Sequence, residues 1–146
     1  MKRNPITLYD NLILETRQHL RLKSDEMARK RLGVALRNKS PERWALDLLD
    51  RHGIGIGYVL NHLLSVGAWQ PNVREAIQNG LSLATARKVA NLNEPALEAE
   101  ALEVFHASTG LSLVKRSRLV EQAVLGLRAQ LERQEYALDA AGWLPP

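Results

Sequence analysis

No cysteine occurs in the chain's 146 residues. Disulfide staples, thiolate metal ligands and a cysteine nucleophile are therefore excluded together. Aromatic residues make up 5% of the chain, with a single phenylalanine. Valine and threonine form no runs, and no alternation of period two is longer than IGIGYV (residues 54–59), so nothing in the pattern asks for a sheet. No apolar run approaches the ~20 residues that span a bilayer, and MKRNPITLYDN (residues 1–11) lacks the apolar stretch of a secretory signal. The expectation is a cytoplasmic protein with no membrane partner. His19, His52, His62 and His106 stand far apart without an HExxH pairing, so surface or helix-satisfied histidines are expected, with no metal and no cofactor.

What is present is charge, unevenly spread. Residues 1–45 hold eleven Lys/Arg against five Asp/Glu, whereas residues 46–146 hold nine against eleven. A polyanion such as duplex DNA would be drawn to the first third, with binding that weakens as salt rises. The plainer alternative is that RLKSDEMARKRLGVALRNK (residues 21–39) is a solvated helix face.

Helical periodicity fills the rest, and a chain of this length suits one compact domain. Leu8, Leu12, Glu15 or Thr16, and His19 or Leu20 fall on successive turns of a first helix. Ser24 is the expected N-cap of a second, with Asp25 and Glu26 favoured at its positive end. Ser40 and Pro41 are expected to open a third, with Trp44, Leu48 and Leu49 inward and Gly53 as its stop. Val59, Leu60, Leu63 and Leu64 mark a fourth that ends at Gly67, and Pro71 to Gly80 bracket a fifth. Ser82 caps a sixth with Leu83, Ala86, Val89 and Ala90 inward; Leu97, Ala101, Leu102 and Phe105 line a seventh that closes at Gly110. A long last helix runs from about Ser112 to Trp143, and Pro145 and Pro146 cannot continue it. The fold class is all-α, in three segments: basic N-terminal helices (1–39), a helix-turn-helix with its following core (40–112), and the C-terminal helix (113–146).

Gly53, Gly55 and Gly57 are separated only by isoleucines. A phosphate-binding glycine loop needs a buried strand before it, and here the preceding WALDLLDRH is helical and charged. The other use of glycine fits both flanks: Gly53 closes one helix in a left-handed conformation, and Gly55 and Gly57 let the next start steeply without a Cβ clash. Helix, glycine turn, apolar helix is the helix-turn-helix pattern, whose second helix enters the major groove. The DNA-reading candidates are then Gly55, Gly57, Tyr58, Asn61 and His62; Asn61 could pair with adenine, and Tyr58 or His62 could touch a base or phosphate. An ordinary helical hairpin satisfies the same pattern.

Downstream, four landmarks follow in order: Gly80-Leu81-Ser82, Ala86-Arg87, Leu92 with Glu94-Pro95, and Gly110-Leu111-Ser112. In these, residues 40–122 resemble the ParB family of partition proteins, which includes the plasmid repressor KorB. The resemblance implies a multi-helix, non-enzymatic DNA-binding fold in which Arg87, Lys88, Lys115 and Arg116 meet phosphate or base edges. Thr85 stands where the family has a histidine, and nothing in Met1–Lys39 matches the family's CTP-binding domain, so nucleotide hydrolysis and spreading along DNA are not implied.

In the last helix Leu113, Ser117, Val120, Val124, Leu127, Leu131, Gln134 and Leu138 alternate spacings of four and three, the seam of a coiled coil. Val120, Val124, Leu127 and Leu131 are the dimerisation candidates; the alternative is that this stripe covers the chain's own core. The sequence thus supports a homodimeric, sequence-specific DNA-binding protein, a transcriptional regulator or partition-site binder of a plasmid or mobile element. The alternative is an adaptor that keeps the fold and binds a protein partner. Asp47 and Asp50 read as a helix-surface pair, and no nucleophile sits in a catalytic context.

Overall fold

The computed structural model describes residues 4–142, with side chains as far as residue 137. Among them every regular element is helical: α1 (Pro5–Leu20), α2 (Asp25–Arg37), α3 (Arg43–His52), α4 (Ile56–Tyr58), α5 (Pro71–Gln78), α6 (Leu83–Ala90), α7 (Pro95–Ala107) and α8 (Leu113–Gly142). A π-helical turn (Val59–Leu63) and a 3-10 turn (Leu64–Ala68) continue α4. No helix among the described residues is long and apolar enough to cross a membrane. Contacts gather into two compact units, one ending at Trp69 and the other starting at Gln70.

Caps explain most helix ends. The Asn4 side chain accepts the Ile6 amide at 2.9 Å ahead of Pro5, and Ser24 accepts the Met27 amide at 3.2 Å. In the second unit Ser82 accepts from the Thr85 amide at 3.2 Å and Ser112 from the Lys115 amide at 3.3 Å, so each Gly-Leu-Ser landmark delivers its serine to a helix start. The third helix departs from expectation. Its N-cap is Glu42, not Ser40, and Pro41 lies outside it. Two contacts hold the approach extended: the Glu42 amide donates to the Ala35 carbonyl at 3.1 Å, and Arg31 grips the Glu42 carboxylate with two hydrogen bonds of 2.5 and 2.6 Å.

In the first unit α1 packs along α2, and α3 packs on α2 while burying Ala45, Leu48 and Leu49. Each fully buried leucine contributes about 1.5–3 kcal/mol by leaving water. The helix expected over 57–67 is not regular. Val59, Leu63, Leu64 and Val66 are all buried, and a straight α-helix would turn Leu64 well away from the other three. The π turn, closed by the Leu64 amide on the Val59 carbonyl, brings it round. Gly67 then has to be glycine, since an added Cβ would lie 1.9 Å from Tyr9 Oη and 2.7 Å from Arg29 Cδ.

In the second unit α5 packs on α6 and α7, which both pack on α8. Phe105, Ile77, Leu81 and Leu102 are its largest buried side chains. The dimer seam needs correction here. Val120, Val124 and Leu127 are 0%, 3% and 7% exposed within the single chain, so α8 spends them on its own core and they cannot also face a partner. Leu113 is half exposed, Leu131 half-buried and Gln134 exposed; the Leu138 side chain and the tail 143–146 lie outside the described residues.

Candidate nucleic-acid interface

The turn after α3 ends the helix as its sequence anticipates. Gly53 sits in the left-handed region at φ 66°, its amide donates to the Asp50 carbonyl at 3.1 Å, and the Ile54 amide reaches back to Leu49 at 3.2 Å. These two bonds satisfy carbonyls that the helix end would leave open, and only glycine takes that φ without strain. Gly55 and Gly57 behave differently from expectation. Gly55 is extended at φ −93° with open space where a Cβ would be, and a Cβ on Gly57 would meet only Asn61 Nδ2 at 3.9 Å. Neither glycine is needed to avoid a clash within the fold.

Beyond the turn the chain sorts its side chains cleanly. Val59, Leu63 and Leu64 point into the unit, while Gly55, Gly57, Asn61 and His62 are exposed and Tyr58 is half-buried. The Tyr58 and His62 rings lie 5.9 Å apart, tilted by 48°, and partial burial raises the Tyr58 hydroxyl above its usual range. The segment that holds these five candidates carries no lysine or arginine from His52 to Val73.

A second feature of this unit, not foreseen from sequence, is a cleft of about 350 Å³ lined by Glu15, His19, Arg43, Trp44, Asp47 and Arg51. His19 stacks on Trp44 with ring centres 5.5 Å apart, Arg31 lies over the same indole at 5.8 Å, and the indole N–H donates to Glu42 at 3.3 Å. Arg31 holds the Glu42 carboxyl below its usual range, chiefly through their hydrogen bonds. Trp44 is thus half-buried under polar groups instead of pointing into the core. Several cations of this unit are likewise paired: Arg17 with Asp25 at 3.0 Å, Arg29 with Glu26 at 2.5 Å, Arg43 with Asp47 at 3.2 Å, and Arg51 with Glu15 at 3.9 Å. His52 meets Glu15 at 2.5 Å beside the glycine turn.

The other four DNA candidates belong to the second unit. Arg87 is half-buried on α6, and Lys88 is exposed but donates to Glu121 at 3.0 Å. Glu121 also accepts from the buried Thr85 hydroxyl at 3.3 Å, so Thr85 joins α6 to α8. Lys115 is exposed at the start of α8. Arg116 requires a correction: its guanidinium gives two hydrogen bonds, 3.2 and 2.7 Å, to the Phe105 carbonyl and lies 3.7 Å over the Phe105 ring. It closes the end of α7 and is committed to the fold. Glu98, 4% exposed in the first turn of α7, has its carboxyl raised by burial. No group of three metal-ligating side chains occurs among the described residues. Compared with known proteins, the chain matches no protein family, no curated protein and no solved structure.

Proposed function

We propose that this protein is a non-enzymatic, sequence-specific binder of duplex DNA, built on a ParB/KorB-like helix-turn-helix, that regulates transcription or marks a partition site for a plasmid or other mobile element. One observation carries the reading: a glycine-closed helix end is followed by a short helix that buries Val59, Leu63 and Leu64 and turns Gly55, Gly57, Tyr58, Asn61 and His62 outward. Asparagine and a tyrosine–histidine ring pair suit base edges, and two glycines with no internal steric duty suit close approach of backbone to a groove. Arg87 and Lys115 are the phosphate contacts of this reading, with Lys88 available after exchanging Glu121 for phosphate. A homodimer remains part of it, paired through the outer part of α8, where Leu125 is 68% and Tyr136 77% exposed, in place of the covered seam.

Selection of bound fragments from a pool of the source DNA, followed by mobility shifts, tests the proposal. Affinity should fall by about an order of magnitude or more between ~50 and ~200 mM salt. Asn61→Ala should then shrink the preference for cognate over random duplex by about 1–3 kcal/mol. Absence of binding to every fragment at low salt would favour the second reading, a protein-binding adaptor on the same fold. The lack of any lysine or arginine between Arg51 and Arg74 supports that alternative.

A further inference from the structure

The outer face of α2 carries a surface that includes none of the DNA-contact residues proposed above. Its buried face is made by Ala28, Leu32, Ala35 and Leu36, yet two apolar residues stand on the opposite side: Met27, 48% exposed, and Val34, 60% exposed, two turns apart. With Leu22 from the preceding bend and the stems of Lys30 and Arg31, they wall an open cleft of about 340 Å³ whose surface is almost entirely carbon. The segment that carries it is basic, with seven Lys/Arg against two Asp/Glu in residues 21–39, and of the two cations that line the cleft Arg31 is paired with Glu42. Lys30 reaches Glu26 only at 3.7 Å.

We infer that this cleft docks an acidic amphipathic helix of a partner protein. An apolar floor two helical turns long takes side chains spaced i, i+3 or i+4, and i+7, and the Lys30 ammonium beside it matches a carboxylate flanking such a stripe, Arg31 being held by Glu42. A second copy of α2 is a poor occupant. Met27 and Val34 bracket Lys30 and Arg31 symmetrically, so two-fold pairing of α2 with itself, parallel or antiparallel, sets these cations against their own counterparts. A DNA backbone would meet the ammonium group and leave the carbon walls uncovered.

The test uses the full chain, isotope-labelled, titrated with a designed helix of about 18 residues, long enough to be helical, bearing a leucine stripe flanked by glutamates, and with a twin flanked by lysines. Amide shifts should cluster at Leu22, Met27, Lys30 and Val34, with the glutamate peptide binding at least about tenfold more tightly than its twin. Val34→Asp should weaken that binding about tenfold or more with unchanged circular dichroism, because Val34 lies outside the core. Lys30→Glu should erase the preference between the twins. Equal binding of both peptides, binding of neither, shifts located elsewhere, displacement of the peptide by a short duplex, or self-association that Val34→Asp abolishes would each overturn the inference.

Discussion

Gly57→Ala separates what the fold needs from what a ligand needs. An alanine Cβ at this position finds only Asn61 Nδ2, at 3.9 Å, which is ordinary contact, and φ is not in the left-handed region. The residue is exposed and lies within α4, where glycine costs about 0.5–1 kcal/mol relative to alanine through its backbone entropy. Alanine should therefore raise the melting temperature by a few degrees, given roughly 2–8 °C per kcal/mol for chains of this size. On the proposed DNA-binding reading the affinity should move the other way: a methyl where that reading brings backbone to the groove should weaken cognate affinity by about tenfold, some 1.4 kcal/mol. Gly67→Ala is the internal control. There the added Cβ falls 1.9 Å from the hydroxyl of Tyr9, itself 4% exposed, so overpacking should destabilise by about 1–3 kcal/mol or more. Thermal denaturation followed by circular dichroism and fluorescence anisotropy on a labelled cognate duplex read both quantities from one preparation. A Gly57→Ala protein that is stabilised yet binds DNA as tightly as the parent would refute the role given to this glycine.

Arg116→Ala should destabilise the fold while Lys115→Ala leaves it unchanged, since only Arg116 holds the Phe105 carbonyl and ring; equal melting temperatures would contradict this assignment. Val124→Asp with Leu127→Asp should cost helicity along with stability, because both side chains belong to the chain's own core, and a folded monomer made from a parent dimer would restore the seam. Glu98→Gln should stabilise at neutral pH. Burial raises the folded carboxyl above its ordinary value, so the parent loses stability as pH rises through that raised value, whereas glutamine carries no proton to lose. The advantage should vanish below the usual carboxylate range of about 4.3, and a pH-independent difference in denaturant midpoint would count against it.

What the sequence discloses here is what the chain decides locally. Ser24 and Ser82 cap helices through amides three residues on, and Gly53 ends α3 through carbonyls three and four residues back, all within one turn or so. Partners brought together by packing carry no such signature. Glu42 captured the start of α3 because Arg31, eleven residues earlier, reaches it, and Arg116 meets Phe105 across the bend between α7 and α8. His19 and Trp44 stack across α1 and α3 with nothing in their spacing to announce it. The α8 stripe was visible as a period, but a period does not name the surface that covers it. In α7 Ala101, Leu102 and Phe105 are buried as expected, but at the helix start Glu98 is more deeply buried than Leu97, which propensity alone does not set. The outward surface of the glycine turn was legible as a residue list; its want of internal steric demand at Gly55 and Gly57 was not.

The π turn followed by a 3-10 turn has a consequence for winding. A π turn advances less around the axis per residue than the α-helix's roughly 3.6 residues per turn, and a 3-10 turn, at roughly 3.0, advances more. Val59–Leu63 and Leu64–Ala68 are five residues each, so the lag in the first is opposed by the lead in the second. Asn61 and His62 sit where the lag accumulates, while Val66 and Gly67 come after much of it has been recovered and so meet Tyr9 and the core in register. The angle at which the exposed pair faces outward is thereby decoupled from the angle at which the helix is anchored. Losing one residue from the π turn would convert it into an α turn of nearly the same total rotation, so Gly67 would keep its angle to Tyr9 while the facing of Asn61 and His62 would change, whereas side-chain substitutions at Asn61 and His62 leave the phase untouched.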